Sequence, residues 1–186
     1  MRGDMGQAFA KTYRQGAEYG TMKPTDTLTT LFSHNLWANL RLLEKCAVLT
    51  SEQLNASITG TYGSIRDTLK HIVTAEKWYF SGISTGELHE DPNEPDPVTI
   101  AEIMEAARVT GTGFIEWAPK VQAEDITFEI NSDGTRWEVP STIILTQVIN
   151  HATEHRAQVM TSMTHIGVQP PDLQSWKYFD ELSQNS

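Results

Sequence analysis

Cysteine is nearly absent from this chain. The one residue, Cys46, cannot close an internal disulfide, so the fold has no covalent cross-link and suits a reducing cytosol. Long apolar runs are missing as well. No stretch approaches the roughly 20 apolar residues of a membrane span, and the N-terminal MRGDMGQAFAKTYRQG has no apolar run of signal-peptide length. A cytoplasmic protein without a membrane partner is expected. Basic charge is scarce: 14 Lys and Arg face 24 Asp and Glu, giving a net charge of −10 and a pI of about 5.0. A duplex-binding surface needs a basic patch to neutralise phosphates, so nucleic acid is not an expected partner. There is no P-loop or dinucleotide fingerprint, no internal repeat and no low-complexity run.

What is present is enough for one folded domain: 186 residues, 39% of them hydrophobic. Residues 1–24 are weakly patterned, with Ala8, Phe9, Tyr13 and Ala17 able to form one face of a short helix, and read as an extension. The domain proper is expected over residues 25–186. From Thr25 the spacing turns helical, placing Leu28, Phe32, Asn35, Asn39, Leu42 and Cys46 on one face. Two asparagines interrupt that apolar stripe. A second helix is expected from Gly63–Ser64, with Ser64 and Asp67 as capping residues and Ile65, Leu69, Ile72 and Tyr79 inward. STGELHEDPNEPDPV (84–98) reads as a solvated loop. Thr99 and Glu102 open a third helix that stops before Pro119.

Then the period changes from helical to alternating. ITFEI (126–130) and TRWEV (135–139), joined through NSDG, read as a β-hairpin. Ser141 is expected to cap a last helix over 142–166, ended by Gly167 and Pro170–Pro171. Four long amphipathic helices in one small domain point to an all-α antiparallel four-helix bundle with a small β-hairpin before the last helix.

The last helix carries the chemistry. Ile144, Val148, His151, His155 and Val159 share its inner stripe, so two imidazoles one turn apart face a core. Neutral imidazoles in that arrangement suit a divalent metal with open coordination positions. The competing reading is a pair of core-boundary histidines bonded to carbonyls or carboxylates. For a third ligand His71, mid-helix beside Ile72, is the best candidate and His34 the second. HATEH also matches the inverted zinc-peptidase pattern H-x-x-E-H, but that motif needs a further acidic ligand far downstream in a larger domain. Glu154, about 60° from His151 around the helix, is a candidate base or a plain solvated residue. His34 is the other candidate base.

The chain also resembles the DinB/YfiT-like family of metal-dependent proteins over about residues 27–180. The resemblance rests on HNLWAN (34–39), GSIRDTLKHIVTAE (63–76), the hairpin, INHATEHRAQ (149–158) and GVQPPDL (167–173), in that order and spacing. It implies a four-helix bundle in up-down-down-up order, commonly a homodimer, with a divalent metal held by three histidines. Carried over, these are His71, His151 and His155, with water completing the shell. Arg156 and Gln158 match the family's HRxQ and look like supporting residues. Asn35 and Asn39 match its N-x-W-A-N, which makes Asn35, Asn39 and Arg156 candidates for cofactor binding. Relatives often carry a second adjacent histidine where Glu154 stands, a tyrosine at His34 and a histidine at Gln147.

Characterised members of the similar superfamily use the metal to activate a low-molecular-weight thiol. The expectation is therefore a metal-dependent transferase acting on a small-molecule substrate with such a thiol. The alternatives are a metal-water hydrolase and a non-catalytic, stress-related metal- or ligand-binding protein. Three histidines suit Zn, Ni, Fe and Mn alike.

Overall fold

The computed structural model describes residues 26–89, 95–130 and 134–184. The helix face expected at Ala8, Phe9, Tyr13 and Ala17 lies outside them. Among the described residues the chain is mostly helical, with a small three-stranded sheet. The long helices are α1 (Thr27–Cys46), α3 (Ile65–Thr85), α4 (Ile100–Trp117) and α5 (Ser141–His165). A single-turn helix, α2 (Ser51–Leu54), joins α1 to α3, and α6 (Ser175–Gln184) follows α5.

The helices α1 to α4 start where the local chemistry places them. Asp26 accepts from the Thr29 N–H at 2.9 Å, and Ser64 accepts from the Asp67 N–H at 3.1 Å. Thr99 and Glu102 form a reciprocal capping box, as do Thr50 and Gln53. These contacts satisfy orphan amides of the first turn. The α5 helix departs from expectation. It begins at Ser141 itself, after Pro140, with no side-chain cap. The Ser141 hydroxyl is turned to the Thr127 hydroxyl at 2.9 Å, tying the helix start to the sheet instead. Its far end closes as expected: Gly167 takes φ 77°, with Val168 N–H donating to the Met163 carbonyl and Gly167 N–H to Thr164.

Strands β2 (Ile126–Ile130) and β3 (Arg136–Pro140) pair antiparallel, with Phe128 opposite Glu138. A third strand, β1 (Glu87–Leu88), pairs parallel with β2 through Glu87–Phe128 and Leu88–Glu129. Part of the segment expected to be a solvated loop is thus sheet. Leu88 explains the difference: it is buried in the apolar cluster that also holds Ile83 and Phe114, so one apolar side chain anchors an otherwise polar run.

Residues 25–173 form one compact unit. Its interior holds two apolar clusters. One gathers Leu42, Leu43, Cys46, Ile65, Leu69, Ile103 and Val159. The other gathers Phe32, Phe114, Ile144, Leu145 and Val148, with the Phe32 and Phe114 rings stacked at 5.1 Å. The α1 and α4 helices pack closely because Gly111 has no side chain: a Cβ there would lie 2.7 Å from Leu36 Cδ1. The α6 helix belongs to the other unit and carries a Lys177–Glu181 pair at 3.6 Å. No helix among the described residues is long and apolar enough to cross a membrane.

Candidate metal centre

Between the two apolar clusters, α1, α3 and α5 turn polar side chains inward. The first polar group centres on Glu76, which is completely buried. Its Oε1 accepts from Asn35 Nδ2 at 2.8 Å and Asn39 Nδ2 at 2.9 Å. The two asparagine oxygens accept from Arg156 Nη1 at 2.6 and 2.7 Å. Arg156 Nη2 donates to Thr153 Oγ1 at 3.0 Å. Two amides therefore bridge a carboxylate and a guanidinium, using both ends of each amide dipole. Burial pushes the Glu76 carboxyl up, while the Asn35 and Asn39 amides and the Arg156 charge hold it down. Burial lowers Arg156 to about 10, with Glu76 opposing, so the guanidinium is cationic at neutral pH.

Asn35, Asn39 and Arg156 are thus committed to one another and to Glu76. The sequence reading missed Glu76. Its signal was the gap at 76 in the inward series Ile65, Leu69, Ile72, Tyr79: the stripe continues through that position with a carboxylate.

The second polar group is the three histidines. The α3 helix supplies His71, and α5 supplies His151 and His155 from successive turns. Ring centroids lie 4.8 Å apart for His71–His151, 4.8 Å for His71–His155 and 4.5 Å for His151–His155. One ligand nitrogen from each lies within 4.8 Å of the others. The Nε2 atoms of His71 and His151 are 3.0 Å apart. His155 is buried; the other two are partly buried. Tyr62 stacks on His71 at 3.9 Å between centroids, and Tyr79 meets His151 edge-on at 6.0 Å.

The donor set suits a divalent cation. Two nitrogens each about 2.0–2.1 Å from one ion, at octahedral or tetrahedral angles, lie roughly 2.9–3.4 Å apart, and the His71–His151 pair is already at 3.0 Å. Burial, with repulsion from His155 and His71, lowers His151 to about 4, and burial and His155 lower His71. Both are neutral at pH 7, as a metal ligand must be. Among the described residues, the buried side-chain atoms without a partner are Glu76 Oε2 and His151 Nδ1.

The remaining candidates fall elsewhere. Glu154 is exposed on α5, and His34 places Nε2 2.9 Å from the Leu173 carbonyl. Burial lowers His34 despite that bond. An open groove of about 720 Å³, lined in part by Trp78, Ser81, Glu102 and Val109, is not lined by any of the three histidines.

Fold and site together define a mostly helical protein with a three-histidine cluster able to hold a metal ion. The chain belongs to the DinB family, whose model matches residues 22–182. It is similar to the crystal structure of a DinB-like protein from Bacillus cereus ATCC 10987, at 25% identity and a TM-score of 0.55, covering 76% of this chain and 91% of that one. It also shares its fold with the DinB-like protein YjoA from Bacillus subtilis, at 15% identity and a TM-score of 0.56, covering 80% and 99% of the two chains. The search of curated proteins returned no match.

Proposed function

We propose that this protein is a divalent-metal-dependent transferase that uses a low-molecular-weight thiol. The observation that carries the reading is the convergence of His71, His151 and His155, each offering one nitrogen within 4.8 Å of the others. A bound divalent cation would lower the pKa of a coordinated thiol or water and so supply a nucleophile near neutral pH. The chain's own part is to hold three imidazoles in place. Three protein ligands leave coordination positions open for thiol or water.

Arg156 is next to His155 in sequence and, through Asn35, Asn39 and Glu76, ties that turn of α5 to α1 and α3. Tyr62 and Tyr79 wall the site with aromatic rings. We further read α1, α3, α4 and α5 as one antiparallel four-helix bundle, with β2 and β3 as its hairpin, in a cytoplasmic homodimer.

Metal content by mass spectrometry tests the reading, on protein purified without chelator or a nickel column. Wild type should carry close to one divalent ion per chain, and His155→Ala should lose it. Metal-loaded wild type should then consume an electrophile only when a small thiol is added. A wild type that takes up none of Zn, Ni, Fe or Mn on reconstitution would refute the metal reading. Turnover without a thiol would favour hydrolysis.

A further inference from the structure

Tyr62 is an aromatic residue in an odd place. It lies in the loop between α2 and α3, and 55% of it is exposed. Yet one face of its ring is laid flat on His71, 3.9 Å between centroids and 11° from parallel. Its edge meets His155 at 5.3 Å and 78°. Two of the three histidines therefore touch one loop residue.

The backbone of Tyr62 reaches the same pair by a second route. Its N–H donates to Gln158 Oε1 at 2.9 Å, and that side-chain atom also lies 3.1 Å from His155 Nδ1. The bond from Tyr62 settles the chemistry. A backbone N–H can only donate, so the Gln158 atom it meets is the oxygen and not the amide nitrogen. An oxygen can only accept, so His155 Nδ1 carries the proton. In the neutral ring the other nitrogen, Nε2, then keeps its lone pair. One amide oxygen thereby selects the tautomer that binds a metal and pins the loop that stacks on His71. Further bonds hold the loop: Ile65 N–H to the Ala56 carbonyl at 3.1 Å, and Thr61 Oγ1 to the Ile58 carbonyl at 2.9 Å.

We propose that Tyr62 is a positioning residue of the metal centre, setting the plane of the His71 ring by stacking and acting together with Gln158 on His155. The inference rests on the metal-binding reading above and extends it to a residue outside the ligand set. The ring face is what the role requires; the phenol hydroxyl is not.

The test uses full-length wild type, Tyr62→Phe, Tyr62→Leu and Gln158→Leu. In the metal-free proteins, imidazole NMR should show the His71 ring protons shifted upfield by the facing ring in wild type and Tyr62→Phe. The shift should vanish in Tyr62→Leu. In the zinc-loaded proteins, transfer of zinc to a chromogenic chelator should be about three- to tenfold faster for Tyr62→Leu, the scale of one lost aromatic contact. Gln158→Leu should weaken zinc binding about 10- to 100-fold, the usual effect of losing a partner behind a ligand. Tyr62→Phe should behave as wild type. Zinc held equally well by all four proteins overturns this inference alone. A wild type that shows the His71 shift but holds no zinc overturns the metal reading, and the positioning role with it.

Discussion

Two polar groups sit within one turn of each other on α5, and they have opposite needs. Around Arg156, charge and amide dipoles close on themselves: guanidinium to two asparagines to one carboxylate, with contacts of 2.6–2.9 Å. Around His155, three imidazole rings converge and two Nε2 atoms face each other at 3.0 Å. Each group has one buried atom without a partner, Glu76 Oε2 in the first and His151 Nδ1 in the second. The difference lies in their chemistry. A carboxylate and a guanidinium are counterions and can satisfy each other inside the protein. Three imidazoles present lone pairs, repel one another when protonated, and have no counterion among themselves. The first group carries its own countercharge, and the second is able to hold a metal ion.

Removing a member of the closed group should have the largest effect. Arg156→Leu should cost about 3–5 kcal/mol of stability, because it leaves Glu76 buried without its countercharge. Adding Glu76→Leu should recover much of that loss. Urea unfolding of the metal-free proteins measures both. A single-variant loss of less than about 1 kcal/mol would erase the distinction between the two groups.

The open group should respond to a ligand. Zinc at about 100 times its dissociation constant should stabilise wild type by about 2.7 kcal/mol and His155→Ala hardly at all. Thermal unfolding with and without zinc reads this. Equal stabilisation of both would place the binding elsewhere.

The smallest effect is the acid limb of the metal-free protein. The folded pKa of His151 is about 4, below its ordinary 6.5, because burial and the neighbouring histidines disfavour the cation. On acidification the unfolded chain takes up the proton first. The stability is therefore fully present above pH 6.5 and is lost as pH falls toward 4. His151→Gln should shrink that loss, while leaving the part due to His71 and His34, which shift in the same direction. A loss identical to wild type would mean that His151 is solvated as in the unfolded chain.

Much of this was legible along the chain because helix caps and amphipathic stripes are local. The series Phe32, Asn35, Asn39, Leu42, Cys46 is buried as its spacing requires. The Thr99–Glu102 box opens α4, and the alternating segments became β2 and β3. The inward placement of His151 and His155 followed from the period of α5, and the place of His71 beside Ile72 made it the best third candidate, in agreement with the family resemblance. Ser141 and Leu88 could not be read this way. Each is recruited by a distant partner, Thr127 for the one and the Ile83–Phe114 cluster for the other.

What the sequence by itself determined is which side chains share a face, because a helix repeats every 3.6 residues whatever surrounds it. Which faces meet was decided only by the tertiary structure. The approach of His71 to His151 spans 80 positions, and that of Arg156 to Asn35 spans 121. Packing of apolar stripes brings such residues together, and it is largely indifferent to which polar groups travel with them. The tertiary structure therefore decided that the asparagines would bridge Glu76 to Arg156, and that Tyr62 would lie across His71.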